Sequence, residues 1–528
     1  MSWSAKPLPA HYYLDFRMQS HIMSGLMTAG TKCDLLLVNL GNRTQAYQSL
    51  ASELTAIEPP VWAGLIASYV RNKGHSVEVL DANAEEMTPE QAAGRVAETK
   101  PTLTTVVVYG HNPSASTQVM PAVAKFCETL KVLAPNLKIL LVGGHVAAMP
   151  RQTMMEEACD FVCDGEGPVT TLELLTALKT KPVDPAKVRG LWYRENDQLK
   201  TTAHAPLVEN LDQDMGEIAW DLLPMQKYRA HNWHCFGGKA RKPYASLYTS
   251  LGCPYNCTFC CIHAPFKTGE TALGYSQKTN SYRLWSPESV VRQIDTLVSR
   301  YGISNIKFAD ELFVLNRKHV EGICDLIIAH GHKLNIWAYA RVDTVRDPGL
   351  LAKMKLAGIN WVALGIESGS NRVLKDAGKR TTRDDTFHSV KLIEAAGINI
   401  IGNYLFGLPE DDQESMTETL NLAKELNCEF ANIYCAMAYP GSELYEQAKR
   451  EKWPLPASWV GYSQYAADML PLPTRHLRSE EVLRFRDLAF QDYFSNPRYL
   501  DMIRGKFGIE TVDEIRNMLG RKLDRQHA

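Results

Sequence analysis

Residues 244–266 read YASLYTSLGCPYNCTFCCIHAPF. A short apolar run with strand character leads straight into Cys253, Cys257 and Cys260, spaced C-x3-C-x2-C. Three thiolates this close on one loop can face a single object. A cubane iron–sulfur cluster ordinarily takes four cysteine ligands, so a set of three leaves one iron open to a small molecule. Structural zinc asks for four closed ligands, often as two separated pairs, and no second pair matches in this chain. The plainer reading, cysteines as small buried apolar residues, leaves the spacing to chance. Cys261 adjoins Cys260 and points elsewhere, so it reads as a non-ligand.

From this loop to residue 440 the chain alternates strand-like and helix-like stretches. Runs at 246–249, 305–309, 334–340, 361–366, 398–406 and 430–436 make six β/α units. Ser286-Pro287-Glu288 is set to start a helix through residue 301, with proline in the first turn, where its missing N–H costs nothing. Polar residues follow the runs: Asp310 and Glu311, Arg341, Glu367 and Ser368, Asn403, and the FGLPEDD turn at 406–412. In barrels of such units the chemistry sits at the carboxyl ends of the strands. An ordinary loop ion pair is the rival reading of each residue alone; their shared placement favours a site.

Upstream, residues 31–180 alternate in the same way. Apolar runs at 34–40, 76–81, 104–109 and 138–143 are separated by helical stretches such as 61–72 and 116–133, the pattern of a doubly wound parallel sheet. Ligands of such sheets bind outside the carboxyl ends of the strands. There stand Asn39 to Asn42, Asp81, the Gly143-Gly144-His145 turn, and Asp164-Gly165-Glu166-Gly167 after Phe161-Val162. Glycine there lets backbone approach a ligand closely; a tight strand-to-helix turn is the competing explanation. No G-x-G-x-x-G follows the first run, so the motif of a nucleotide-binding Rossmann domain is absent.

The remaining segments say less. Residues 1–30 are a mixed, aromatic extension without an assignable role. Residues 181–243 form a proline-broken bridge, with a small hairpin expected from 188–192 and 198–202 and a WDLLP stretch at 220–224. His231, His234 and Cys235 lack a fourth ligand and read as non-metal residues. Residues 441–528 open with PGSELYEQA at 440–448 and continue as amphipathic helices near 480–494, 498–507 and 512–520. Tyr445, Trp459, Tyr462, Tyr465 and Tyr493 can line a cavity over the barrel or simply pack helices.

Composition is that of a globular protein, with 528 residues, 45% hydrophobic and 22% charged, enough for two or three domains. A net charge of −2 gives no sign of a nucleic-acid partner. Twelve cysteines in so long a chain are no disulfide scaffold and fit a reducing compartment. With no run long enough to span a bilayer and no secretory signal, a cytoplasmic location is expected.

The cysteine triad, with Phe259 just before its last member, resembles the cluster loop of the radical S-adenosylmethionine (SAM) enzymes. LLVGGHVAAMP (140–150), CDFVCDGEGP (159–168) and IEPPVWAGLIASYVRNKGHSVEVLDA (57–82) resemble the cobalamin-binding domain found ahead of such barrels. The resemblance implies an α/β architecture: a doubly wound Rossmann-like sheet over 31–180, a linker over 181–243, a partial (β/α)6 radical SAM barrel over 244–440 and a mainly helical region over 441–528. It implies a [4Fe-4S] cluster on Cys253, Cys257 and Cys260, with SAM chelated at the open iron and cleaved to a 5′-deoxyadenosyl radical. It places Phe259, Asp310, Glu311, Arg341, Glu367, Ser368 and Asn403 around SAM: carboxylates for the amino group, the guanidinium for the carboxylate, and acceptors for the ribose. It places Asn39, Asp81, Gly143, Gly144, His145, Gly165, Glu166 and Gly167 near cobalamin. The D-x-H-x-x-G signature of the cobalamin-binding methyltransferases and mutases is absent, so no histidine ligand to cobalt carries over, and His145 is a poor candidate for one.

The implied function is methylation of an unactivated carbon or phosphorus centre of a small-molecule substrate, with flavodoxin or ferredoxin as electron donor. The alternatives are a cobalamin-containing radical SAM cyclase or rearrangement catalyst, and a non-catalytic cobalamin or redox sensor. Methylthiolation would need further N-terminal cysteines at cluster spacing, which Cys159 and Cys163 do not supply.

Overall fold

The computed structural model describes residues 33–527 except 52, 53, 111 and 113. The extension expected over residues 1–30 lies outside the described residues. The first sheet contains β1 (Leu35–Asn39), β2 (Val77–Asp81), β3 (Leu103–Val108), β4 (Ile139–Gly143), β5 (Phe161–Cys163), β6 (Leu191–Glu195) and β7 (Gln198–Thr201), in the order 2-1-3-4-5-6-7. β1 to β5 are parallel. Alternate residues of a strand face opposite sides, and β1 shows it: Leu35 and Leu37 pack with Trp62, Leu65 and Leu174, while Leu36 and Val38 pack with Val96, Phe126 and Leu130. A sheet covered on both faces needs apolar residues on both, hence the unbroken runs.

The expected hairpin exists, but it is not a free-standing part of the bridge. β6 pairs antiparallel with β5, and β7 with β6, so the hairpin extends the first sheet. Asn196 and Asp197 at its tip have φ of 51° and 62°, the turn chemistry a two-residue hairpin favours. The helix expected over 116–133 is two, Ala115–Gln118 and Met120–Leu133, with Pro121 in the first turn of the second.

The second sheet contains β8 (Tyr244–Leu247), β11 (Asn305–Phe308), β12 (Asn335–Arg341), β13 (Ile359–Glu367), β14 (Asn399–Phe406) and β15 (Phe430–Cys435), six parallel strands each beside its predecessor. A short antiparallel ladder of β9 (Ser250–Leu251) and β10 (Arg283–Leu284) flanks the cysteine loop. Ser286 caps helix Pro287–Tyr301 as expected, accepting from the Ser289 N–H at 3.2 Å. The C-terminal helices are Ser479–Phe494, Pro497–Phe507 and Ile509–Leu519. They are fastened to the end of the barrel: Arg486 donates to the Ile433 carbonyl (2.8 Å) and Tyr493 to that of Cys428 (2.6 Å).

Two buried ion pairs join the sheets. Arg283 of β10 forks onto Glu166 after β5 at 2.6 and 3.2 Å, with side chains 8% and 3% exposed. Lys307 of β11 meets Glu58 at 2.9 Å, 2% and 5% exposed. Burial alone would pull the Lys307 ammonium down, but Glu58 and its other anionic neighbours hold it above the ordinary lysine value.

Candidate functional site

The cysteine loop begins at Gly252, whose φ of +88° and approach to the Ser281 carbonyl (2.3 Å from a Cβ built there) admit only glycine. The loop is then pinned from outside. Thr258 donates to the Ala377 carbonyl (3.3 Å), and the Thr258 carbonyl accepts from Leu444 at the start of helix Glu443–Glu451 (2.9 Å). PGSELYEQA therefore serves as a clamp on the loop. Cys253, Cys257 and Cys260 all line one cavity of about 850 Å³. Their sulfurs do not all lie within 4.8 Å of one another. A single tetrahedral zinc would hold its sulfurs closer, about 3.8 Å apart. Burial pushes the Cys253 thiol up to about 11 and Cys260 well above its ordinary value, and a bound metal would take the protons' place. Against expectation, Cys261 does not point elsewhere but also reaches the cavity wall, buried, with its thiol pushed up to about 12 by burial.

The inner face of the barrel reads out with a period of two. Lys307, Ala309 and Glu311 line the cavity, as do Trp337, Tyr339 and Arg341 on β12, Ala363, Gly365 and Glu367 on β13, and Ile401, Asn403 and Leu405 on β14. This parity separates the paired candidates. Glu311 is on the cavity wall, accepting from the Gly252 N–H (3.2 Å), and burial followed by the charge of Asp310 pushes its carboxyl up to about 7. A cationic amino group beside it would restore the anion. Asp310 turns the other way, against expectation. It is fully buried and accepts from the Thr249 N–H (3.0 Å), Thr249 Oγ1 (2.7 Å) and Ser250 Oγ (2.5 Å), so it braces the strand entering the cysteine loop. Ser368 likewise faces away, bonded to Thr419 Oγ1 (3.1 Å) and accepting from the Ser370 N–H.

Glu367 has φ of +67°, where the β13–β14 register slips. Strain of this kind collects at functional sites. Its Oε1 takes Lys379 Nζ at 2.7 Å, and Lys379 also lines the cavity. Arg341 forks onto Asp343 at 2.9 and 3.3 Å, reaches Cys257 Sγ at 3.3 Å and stacks on the Tyr255 ring at 3.8 Å. The guanidinium thus stands against the cluster loop itself. Asn403 accepts from Asn432 Nδ2 (2.8 Å), and Phe259 lines the wall between its two flanking cysteines. Sequence reasoning missed Lys307, Glu58, Lys379, Asn432 and the aromatic wall of Trp337, Tyr339 and Tyr434; inward parity on the barrel strands was the available signal for those on β11, β12 and β15. Of the five C-terminal aromatics expected to line a cavity, Tyr465 alone reaches this one, and Phe490 joins it there. Trp459 stands edge-on to His145 at 4.6 Å, and Tyr445 bonds Met149, so both fasten the C-terminal segment to the first domain.

The opposite wall comes from the first domain: Tyr47, Leu50, Leu54, Glu58, Ser114, Ala115 and Gln118. A smaller cleft of about 80 Å³, lined by Asn39 to Asn42, Gly110 and Gln118, adjoins it, at the point between β1 and β3 where the strand order reverses and such sheets bind ligands. The two openings share Tyr47, Thr55, Glu58, Gln118 and His231. Apolar and aromatic side chains interspersed with the amides of Asn42, Asn112 and Gln118 fit a flat macrocycle rimmed by amides.

The other residues expected near cobalamin do not line these openings. Asp81 accepts from Asn39 Nδ2 (2.8 Å), Tyr228 (2.8 Å) and the Ala84 N–H (3.1 Å). Both oxygens of Glu166 are taken by Arg283, one also by the Val208 N–H, which revises the expectation of a ligand contact. A Cβ at Gly143 (φ +154°) would lie 2.1 Å from the Val108 carbonyl, and one at Gly167 (φ +114°) 2.5 Å from Val142. Gly165 faces Thr268, which bonds the Asp164 carbonyl, and Gly144 opens helix Gly144–Ala148. His145 is buried on Thr117 (3.2 Å), its imidazole pushed down to about 3 by burial. His234 is buried against the Asn335 carbonyl, and His231 stacks on Trp233.

The family model of the radical SAM superfamily matches residues 247–423, and that of the B12 binding domain residues 47–175. An uncharacterized methyltransferase of Pyrococcus horikoshii is 30% identical over 443 residues, covering 84% of this chain and 89% of that protein. The anaerobic magnesium-protoporphyrin IX monomethyl ester cyclase of Cereibacter sphaeroides is 26% identical over 76% of this chain and 62% of its own length. Among solved structures, the radical S-adenosylmethionine methyltransferase TsrM from Kitasatospora setae, with cobalamin and a [4Fe-4S] cluster bound, matches with a TM-score of 0.62. The match covers 89% of this chain and 90% of that one at 18% identity, a likeness of fold.

Proposed function

We propose that this chain, which belongs to the cobalamin-binding branch of the radical SAM superfamily, is a methyltransferase acting on an unactivated carbon or phosphorus centre of a small molecule. Its cofactors are a [4Fe-4S] cluster, SAM and cobalamin. When bound, these supply an electron, a hydrogen-abstracting radical and a methyl donor. Cys253, Cys257 and Cys260 would hold the cluster, with Phe259 covering it and Arg341 steadying Cys257. Glu311 would bind the amino group of SAM and Arg341 its carboxylate. Glu367, oriented by Lys379, would bind the ribose, and the amide pair Asn403 and Asn432 would stand towards the adenine. Ends of β1 and β3 would carry cobalamin. Trp337, Tyr339 and Tyr434 face the space between with aromatic surface, and water kept from it would be kept from quenching a radical.

One observation carries this reading: the cysteine triad and the barrel's polar strand ends share a single cavity whose far wall comes from the first domain. Two cofactors could thus act on one substrate. The reading divides the chain into a cobalamin domain over 31–180 that gains the hairpin of β6 and β7, a connector, a barrel over 244–440 and a helical region beyond it. It includes a cytoplasmic setting and a flavodoxin or ferredoxin as electron donor. The twelve free thiols suit a reducing compartment, and no helix among the described residues is long and apolar enough to cross a membrane.

The cyclase relative supports a second reading, ring formation without methyl transfer. The test is anaerobic turnover of the reduced, reconstituted protein with SAM and candidate substrates. Methyl transfer produces 5′-deoxyadenosine together with S-adenosylhomocysteine and a product heavier by one methylene unit. Cyclisation produces 5′-deoxyadenosine alone. Absence of 5′-deoxyadenosine under every condition would leave the non-catalytic sensor.

A further inference from the structure

Helix Pro287–Tyr301 and the turn after helix Arg317–Ala329 meet on the outside of the barrel, and three metal-binding side chains meet with them. Asp295 Oδ1 lies 3.0 Å from His330 Nδ1 and 2.5 Å from His332 Nε2. The φ of +69° at Gly331, between the two histidines, makes the turn that brings both rings to the same oxygen. All three ligand atoms lie within 4.8 Å of one another, and no other set of three among the described histidines, cysteines and acids does so.

We propose that Asp295, His330 and His332 form a binding site for one divalent transition-metal ion. Metal–ligand bonds of about 2.0–2.2 Å put tetrahedral ligand atoms about 3.4 Å apart. Opening the shortest of the contacts, Asp295 Oδ1 to His332 Nε2 at 2.5 Å, to that spacing takes a shift of about 1 Å. The carboxylate is 38% exposed and free to make the move, His330 is 41% exposed, and His332 is 15% exposed and fixed against the protein. Two imidazoles and one carboxylate suit zinc and its neighbours in the Irving–Williams order, not calcium or magnesium, which prefer oxygen throughout. A fourth position remains open to water. The rival account, two surface ion pairs, explains the convergence less well, because exposed pairs contribute little and give no reason for both rings to share one oxygen.

The site lies away from the cysteine cavity. His332 precedes the amino end of β12 at Asn335, whereas the cavity gathers at the carboxyl ends of the strands. An ion there would tie the outer helix Pro287–Tyr301 to the entry of β12, which is a structural role. Iron or zinc counts on reconstituted protein should accordingly exceed the cluster by one.

The experiment uses the full-length chain carrying its cluster, equilibrated anaerobically with zinc sulfate and then desalted. Iron and zinc are counted by elemental mass spectrometry, and zinc affinity is read by calorimetric titration. Expected are one zinc per chain beyond the cluster iron, a loss of at least about tenfold in affinity for His332→Ala and for the isosteric Asp295→Asn, and unchanged iron content and SAM cleavage in both. Zinc should raise the melting temperature of the parent chain and not that of the variants. The proposal is overturned if the parent chain retains no zinc, or if His330→Ala/His332→Ala retains as much as the parent, which would assign the ion to thiols. Asp295→Asn keeps the side-chain shape, so its result stands even if a histidine variant folds poorly.

Discussion

The two parallel sheets of this protein place polar residues and glycines at their carboxyl ends, and use them in opposite ways. In the barrel, the cysteines, Glu311, Arg341, Glu367 and Asn403 all turn into one cavity. In the first sheet, Asp81, Gly143, Glu166 and Gly167 turn into protein, where three donors, a β3 carbonyl, an arginine from β10 and a β4 valine meet them. The same position in a β/α unit therefore lines a cavity in one domain and serves assembly in the other. What the first sheet turns towards the openings is less distinctive: the amides and tyrosine near 39–47 and 112–118.

The sharpest break in this contrast comes from the cysteines. Cys253→Ala, Cys257→Ala and Cys260→Ala should each abolish 5′-deoxyadenosine formation and lower iron content, whereas Cys261→Ala should retain both; iron analysis and turnover on the four variants decide. Next is the ion pair joining the sheets. Arg283→Ala leaves Glu166 buried and unpaired and should cost about 3–5 kcal/mol, read by denaturant unfolding. Glu166→Gln should lower stability while the folded fraction binds cobalamin as before; weakened cobalamin binding at unchanged stability would return Glu166 to the ligand site.

Asp81 makes the contrast pH-dependent. Burial, the leading cause, raises its carboxyl from 3.8 to about 6. A raised acid binds more protons folded than unfolded, so its contribution is full below about pH 4 and lost as pH rises through about 6, worth roughly 3 kcal/mol. Comparing denaturation midpoints from pH 4 to 8, Asp81→Asn should flatten that part of the profile; parallel profiles for the two proteins would refute the assignment. The smallest effect is expected at Gly143→Ala, about 1–3 kcal/mol from backbone strain and the clash with Val108, again with cobalamin affinity unchanged in the folded protein.

Much of this was legible in the chain. Unbroken apolar runs separated by helical stretches marked the parallel strands of both sheets to within a residue or two, because burial on both faces leaves a local signature; that the hairpin of β6 and β7 extends the first sheet was not legible in this way. The convergence of Cys253, Cys257 and Cys260 on one cavity was legible because they stand only a few residues apart. Only one member of each acidic or hydroxylic pair reaches the cavity: Asp310 and Ser368 look as suitable as Glu311 and Glu367 until the inward register of β11 and β13 is known. Lys307 and Glu58, 249 positions apart, offer no local sign that they meet.

By itself, the amino-acid order determined the kind of domains, their succession and the close spacing of the three loop cysteines, all fixed by patterns over short stretches of chain. Only the folded chain decided which strand-end residues see a cavity and which brace the protein. That choice depends on strand register and on the segment lying opposite, and both are properties of contacts between residues far apart in sequence.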